Sequence, residues 1–181
     1  MKIKIQLLMS LLGLLMMVNC TSELRPFTSE ILREGSWSDS DLQKIQFYLS
    51  EDIVIRRNIT ENQKAITAGT IKIVKGEKVE EVKIPKGTPG VFLFREGKDH
   101  FAIGFDATND KRYLMFGANP NKSGEYVLLA SKWEDRMGKI KYDNSFYFAE
   151  ETAAYAHLLV DLRKIRRVEV SKKTELGRKV Q

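Results

Sequence analysis

Along most of the chain, apolar residues come in short runs separated by polar or turn-forming residues, the pattern of strands. Residues 45–49 (IQFYL) and 53–55 (IVI) are β-branched and aromatic, with a polar break at residues 50–52. Residues 65–74 lead through Lys75-Gly76-Glu77-Lys78 into residues 79–84, which predicts a β-hairpin with a glycine in its turn. The stretch PKGTPG at residues 85–90 is dense punctuation. Apolar runs at residues 91–94, 101–105 and 113–116 follow at the spacing of a meander, with Gly97 and Asn109-Asp110 in the intervening turns. Runs at residues 126–130, 138–142 and 145–148 continue it, and Asp143-Asn144 suits a tight turn between the last two.

Two stretches depart from this rhythm. Residues 28–31 (TSEI) have a cap-like start for a brief helix that Gly35 would end, and residues 36–41 (SWSDSD) carry turn and cap chemistry. That second stretch lacks the glycine and distant glutamate of a calcium-binding EF-hand loop. Residues 153–167 fit both helical and alternating spacing. In this β-rich context they read as a strand followed by a short turn of helix. Ala156, Leu158, Val160 and Leu162 then face in, and Tyr155, His157 and Asp161 face out. Many short strands without βαβ alternation predict a mainly β fold: an antiparallel β-barrel or sandwich with one or two short helices. No repeat or second domain is visible, and 181 residues suit one domain. The predicted organisation is a leader at residues 1–19, a tether and short lead-in at 20–36, and a single β-rich domain at 37–181.

The N-terminus changes the picture from a fold to an address. Lys2 and Lys4 precede a run at residues 7–18 that is apolar except for Ser10 and Gly13. It is shorter than the roughly 20 residues that span a bilayer as a helix. Positive residues followed by such a run are the pattern of an export signal. The run ends at Met17-Val18-Asn19-Cys20, which resembles the lipobox of bacterial lipoproteins. The resemblance covers only these first residues. It implies that the Cys20 sulfur receives a diacylglyceryl group and that the leader is cut just before it. It also implies acylation of the new amino terminus, and so a membrane partner through lipidated Cys20. Two or more acyl chains anchor stably where one does not. Thr21, in place of the Asp that marks inner-membrane retention in that family, implies the outer membrane of the cell envelope. A plain secretory leader with an incidental cysteine is the alternative. Cys20 is the single cysteine, so the chain forms no internal disulfide and no cysteine zinc site.

Charge is unevenly placed. The formal net charge is +6, and residues 163–181 hold eight basic residues against two acids. Lys172, Lys173, Arg178 and Lys179 are candidate contacts to an anionic surface, either headgroups or a surface polymer. No nucleic-acid reading motif accompanies them, and an exported chain is not expected to meet nucleic acid.

Candidate chemistry is sparse. Neither the P-loop spacing nor a Gly-x-Gly-x-x-Gly motif occurs, and no Gly-x-Ser-x-Gly elbow is present. The histidines, His100 and His157, have carboxylates nearby in Asp99, Asp106 and Asp161, but these pairs fall short of a three- or four-ligand zinc set. Ser131 and Ser145 have no evident base. Glu80-Glu81 and Glu150-Glu151 are sequence neighbours, which on a strand point to opposite faces. No metal or cofactor is expected. Trp37, Trp133, Tyr142, Phe146 and Tyr147 lie near predicted turns. Of these, Trp133, Tyr142 and Tyr147 are the candidate ligand platform, with sealing of the β core as the alternative role for such rings. The expected function is non-catalytic: binding of an anionic surface polymer or an envelope protein, or structural support at the envelope. A hydrolase with acids converging across strands is the alternative. Replacing Cys20 by Ser is expected to release the protein from the membrane fraction of a bacterial host and to abolish the lipid mass increment; a mutant that stays membrane-bound beside an unlipidated wild type refutes the anchor.

Overall fold

A computed structural model describes residues 23–59, 69–74, 76–134 and 136–173, with side chains as far as residue 170. The leader, Cys20, the predicted strand start at 65–68, Arg178, Lys179 and the side chains of Lys172 and Lys173 lie outside the described residues. In chain order the elements are β1 (Leu24–Pro26), α1 (Ser29–Gly35), α2 (Asp39–Leu42), β2 (Gln46–Leu49), β3 (Ile53–Asn58), β4 (Thr70–Val74) and β5 (Glu77–Ile84). They continue with β6 (Pro89–Glu96), β7 (His100–Gly104), β8 (Tyr113–Asn119), β9 (Glu125–Leu128) and β10 (Lys132–Glu134). Last come β11 (Met137–Tyr142), β12 (Ser145–Glu150), β13 (Leu158–Asp161) and α3 (Leu162–Lys173).

The strands form two antiparallel sheets around one shared core, a sandwich and not a closed barrel. One sheet has the order β1-β13-β2-β6-β7-β8-β9, the other β10-β11-β12-β3-β5-β4. The polar break at residues 50–52 is where the chain leaves the first sheet for the second, so the adjacent runs β2 and β3 never pair. The first sheet curls until its two ends touch. The Tyr126 amide donates to the Phe27 carbonyl at 3.1 Å and that of Leu128 to Ala156 at 2.9 Å. Isolated bridges, Thr28 to Glu125 and Val127 to His157, are all the ladder that forms there.

Alternation decides each strand's faces. In β3, Ile53 and Ile55 are buried while Val54 and Arg56 are partly exposed; in β11, Ile140 and Tyr142 are buried while Lys139 and Lys141 are exposed. Asp143 and Asn144 join β11 to β12 with φ of 46° and 59°, the left-handed pair that matches the twist of a tight hairpin. Aromatic rings fill the middle of the first sheet: Phe27 packs on Phe47, Phe101 and Tyr126 at centroid distances of 5.2, 6.0 and 5.1 Å.

That packing corrects the expected domain boundary. Within the tether and lead-in expected at 20–36, the chain already belongs to the β domain from Leu24, where β1 pairs with β13, and Phe27 is fully buried. Thr28 caps α1 as expected, accepting from the Ile31 amide, but the left-handed residue that ends the helix is Ser36, at φ 45°. Gly35 serves packing instead: a Cβ there would stand 2.0 Å from the Trp37 indole. Ser38 and Asp41 form a reciprocal capping box on α2, so SWSDSD is cap chemistry.

Residues 158–161 are a strand, as the alternation predicted, and the helix after it is longer than a short turn. Leu162 is half-buried. Asp161 does not face out. It is buried, and its carboxylate is satisfied by the Arg163 amide at 3.0 Å, in the first turn of α3. Ile165 and Val168, one turn apart, hold α3 to the core.

A charged network is buried on the inner face of the second sheet. The register sets Arg57 opposite Glu80, and Glu80 is fully buried. Its carboxylate accepts from Arg57 Nε at 2.7 Å and from the Tyr147 hydroxyl at 3.0 Å. Removing one partner of such a buried pair typically costs about 3–5 kcal/mol, because the other charge is left without compensation. Replacing Phe27 by Ala is expected to lower stability by about 3–5 kcal/mol in urea unfolding; a loss below about 1 kcal/mol would return residues 24–27 to the tether.

Candidate functional site

The two sheets are stitched together by the segment between β9 and β10. Its Leu129 amide donates to the Met115 carbonyl of β8 at 2.8 Å, and its Ser131 amide donates to the Lys139 carbonyl of β11 at 2.9 Å. Beside this seam the outward faces of both sheets meet in a cleft of about 320 Å³. From the first sheet come Glu96, His100, Tyr113 and Met115; from the second come Lys139, Lys141 and Phe146.

Two further clefts adjoin it through shared residues. Tyr113 also lines one of about 640 Å³, with Phe94, Gln43, Lys111 and Asn144. Phe146 also lines one of about 580 Å³, with Phe148, Met137, Arg56 and Ser145. This last cleft opens where β12 and β3 splay apart, since they pair only at Phe148–Arg56 and Ala149–Ile55.

Taken together as a groove, the three clefts are marked by four outward rings: Phe94, Tyr113, Phe146 and Phe148. Phe94 and Tyr113 meet edge to face at 5.0 Å. The Lys139 ammonium stands 4.3 Å from the centre of the Phe146 ring. Phe94, Phe146 and Phe148 are 41, 55 and 45% exposed.

Phe94 owes its place to a β-bulge. Phe92 pairs with Ile103 and Phe94 with Ala102, so Leu93 is an extra residue in β6. In a regular strand Phe92 and Phe94 would share a face; with the bulge, Phe92 is buried in the core and Phe94 turns outward. His100 lies across Gly117, where a Cβ would be 3.1 Å from its ring.

One end of the groove is held by Arg112, which is buried. It donates to Asp106 at 2.8 Å and to Asp143 at 3.0 Å, tying the loop before β8 to the β11–β12 turn. Lys111, Tyr113 and Asn144 are the immediate neighbours of these groups. Asp106 also accepts from the Thr108 hydroxyl and amide. Those bonds, with the Arg112 guanidinium, lower its pKa from 3.8 to about 2.

The platform expected from the sequence is corrected in two of its three members. Tyr142 and Tyr147 are buried core residues, 5.8 Å apart edge to face, because their parity on β11 and β12 is that of Ile140 and Ala149. Burial pushes the Tyr142 phenol up to about 12. Trp133 is 38% exposed on the edge strand β10 and packs over Gly138, away from the groove. Trp37 is buried. Phe94 and Phe148 are the exposed rings that stand with Phe146 along these clefts.

The residues considered for catalysis are dispersed. His157 bonds Ser50, with Nδ1 and Oγ 3.1 Å apart. Ser50 is buried, and Glu125 approaches the same ring nitrogen at 3.9 Å. A relay needs base and orienter on opposite nitrogens, so this is not a nucleophile triad. Asp106 and Asp161 are held by Arg112 and by the Arg163 amide. Glu81 and Glu150 do converge from different strands, but on the Arg56 guanidinium between them. Hydrogen bonds from Lys72 and Arg56 hold the Glu81 carboxyl below its usual range. Among the described residues, no cluster of three or more His, Cys, Asp and Glu side chains could hold a metal, and no helix is long and apolar enough to cross a membrane.

The chain matches no protein-family model, no curated protein and no solved structure.

The Asp106 shift carries a pH dependence. Its folded pKa lies below the unfolded value, so its contribution is present above about pH 4 and is lost as pH falls through about 2. The contribution is about 2 kcal/mol. Asp106→Asn is expected to lose it at neutral pH and to flatten the acid limb of a stability–pH profile; an unchanged limb refutes the assignment.

Proposed function

We propose that this chain is an exported lipoprotein held at the bacterial envelope by a lipidated Cys20, and that its sandwich is a non-catalytic module binding an elongated envelope polymer along the seam groove. The observation that carries the binding reading is the succession of outward rings Phe94, Tyr113, Phe146 and Phe148 through three adjoining clefts. A line of aromatic faces in a long groove suits a chain of saccharide rings, whose apolar faces stack on aromatics. Gln43, His100, Ser131 and Asn144 supply hydrogen-bonding groups beside them for hydroxyls. Combined cleft sizes of several hundred cubic ångströms suit more than one ring.

The anchor is supported by the lipobox-like Met17-Val18-Asn19-Cys20. A domain tethered this way meets envelope polymers at high local concentration, so each contact can be weak. Lys172, Lys173, Arg178 and Lys179 would add attraction to anionic headgroups beside the anchor.

The hydrolase alternative has less support. A glycosidase acid needs a raised pKa, and among the described residues the displaced carboxyls, Asp52, Glu81 and Asp106, are displaced downward.

Titration of the full chain with long soluble oligosaccharides tests the binding reading. Phe94→Ala and Phe146→Ala should each weaken binding about tenfold. Tyr155→Ala removes an exposed ring outside the three clefts and should leave binding unchanged. Equal affinities for all three variants and wild type would refute the groove.

A further inference from the structure

We infer that the polymer read by this groove is acidic: a glycan in which carboxylate-bearing rings are interspersed with neutral ones, engaged by Lys139 and Lys141 beside Phe146 and Phe148. This inference rests on the groove reading above and names the ligand class.

The argument starts from the β11–β12 register. Lys139 stands opposite Phe148 and Lys141 opposite Phe146, all four on the outward face. Neighbouring strands lie about 4.8 Å apart and alternate residues about 6.8 Å apart along a strand. Two ammonium groups and two rings therefore occupy one small tile.

Most carboxylates near this tile are engaged elsewhere; Glu96 lines the same cleft but forms no ion pair with Lys139 or Lys141. Glu150 and Glu81 hold Arg56, Glu151 holds Arg136, and Glu134 holds Lys132. Among the described residues, neither Lys139 nor Lys141 has an acidic partner.

Lys139 also gives the tile a means of discrimination. Its ammonium stands over the Phe146 ring, on which a saccharide would stack. A neutral ring must displace that cation and offers it only hydroxyl or amide oxygens as acceptors, without a charge. An acidic ring offers its carboxylate as the new partner, so stacking and ion pairing are gained together. Glu96 lines the same cleft as the two lysines and Asp110 the adjoining one, which disfavours a uniformly charged polyanion or an anionic membrane and favours acidic rings alternating with neutral ones.

A matched pair of probes tests this on the full chain. Hyaluronan oligosaccharides alternate glucuronate with N-acetylglucosamine; chitin oligosaccharides of equal length contain neutral N-acetylglucosamine alone. Wild type should bind the acidic probe about tenfold more tightly, a preference that shrinks as salt rises. The Lys139→Gln, Lys141→Gln double variant should lose the preference. The matching double Arg variant should keep it, which separates charge from any effect on folding.

Equal binding of both probes by wild type would overturn the acidic assignment and leave the groove reading standing. Binding of neither probe would overturn both. Polyphosphate or phosphatidylglycerol vesicles bound as tightly as hyaluronan, with Phe146→Ala without effect, would mark a surface that senses charge alone and would also overturn the inference.

Discussion

A strand has two faces, and in most strands of this protein one of them belongs to the core. Several side chains in the groove are outside because their chain neighbours are needed inside. Lys139 and Lys141 flank the buried Ile140, and Phe146 and Phe148 flank the buried Tyr147. The pleat thus couples stability to surface chemistry residue by residue. The core selects which positions are free, and the free positions on neighbouring strands are set side by side by the register.

Two local devices turn that rule into a groove. The extra residue Leu93 breaks the period once, sending Phe94 out while Phe92 stays in. The bonds from Leu129 to Met115 and from Ser131 to Lys139 then draw the outward faces of two different sheets to a common seam. Neither device is large in energy. Each acts by placement, and the buried groups behind them supply the rigidity. Arg112 locks one end of the groove through two carboxylates, and the Glu80–Arg57–Tyr147 network braces the inner side of the second sheet behind Phe146 and Phe148.

Strand positions were largely legible, because alternation is a local signal and most runs here obey it. The β4–β5 hairpin, the meander of β6, β7 and β8, and the Asp143-Asn144 turn lie where periodicity and turn residues put them. Short edge elements were not. The strands β1 and β10 have three residues each, too few to show a period. Asp161 misled for a similar reason: a buried carboxylate is allowed where a helix start supplies an N–H, and that partner is a matter of geometry. The platform was legible only as a residue type. Tyr147 and Phe146 are equally aromatic, and their roles divide on parity relative to a core that the sequence does not display.

What the sequence determined by itself is therefore local: alternation, caps, turns, the placement of charge near the C-terminus, and a lipobox-like stretch ending in Cys20. The tertiary structure decided which runs pair, that the two sheets form a sandwich instead of closing, and which rings face outward together. The physical reason is the range of the forces involved. Pleat and turn preferences act within a few residues. The seam depends on hydrogen bonds between β8, β11 and the segment joining β9 to β10, contacts that exist only once both sheets have assembled around one core.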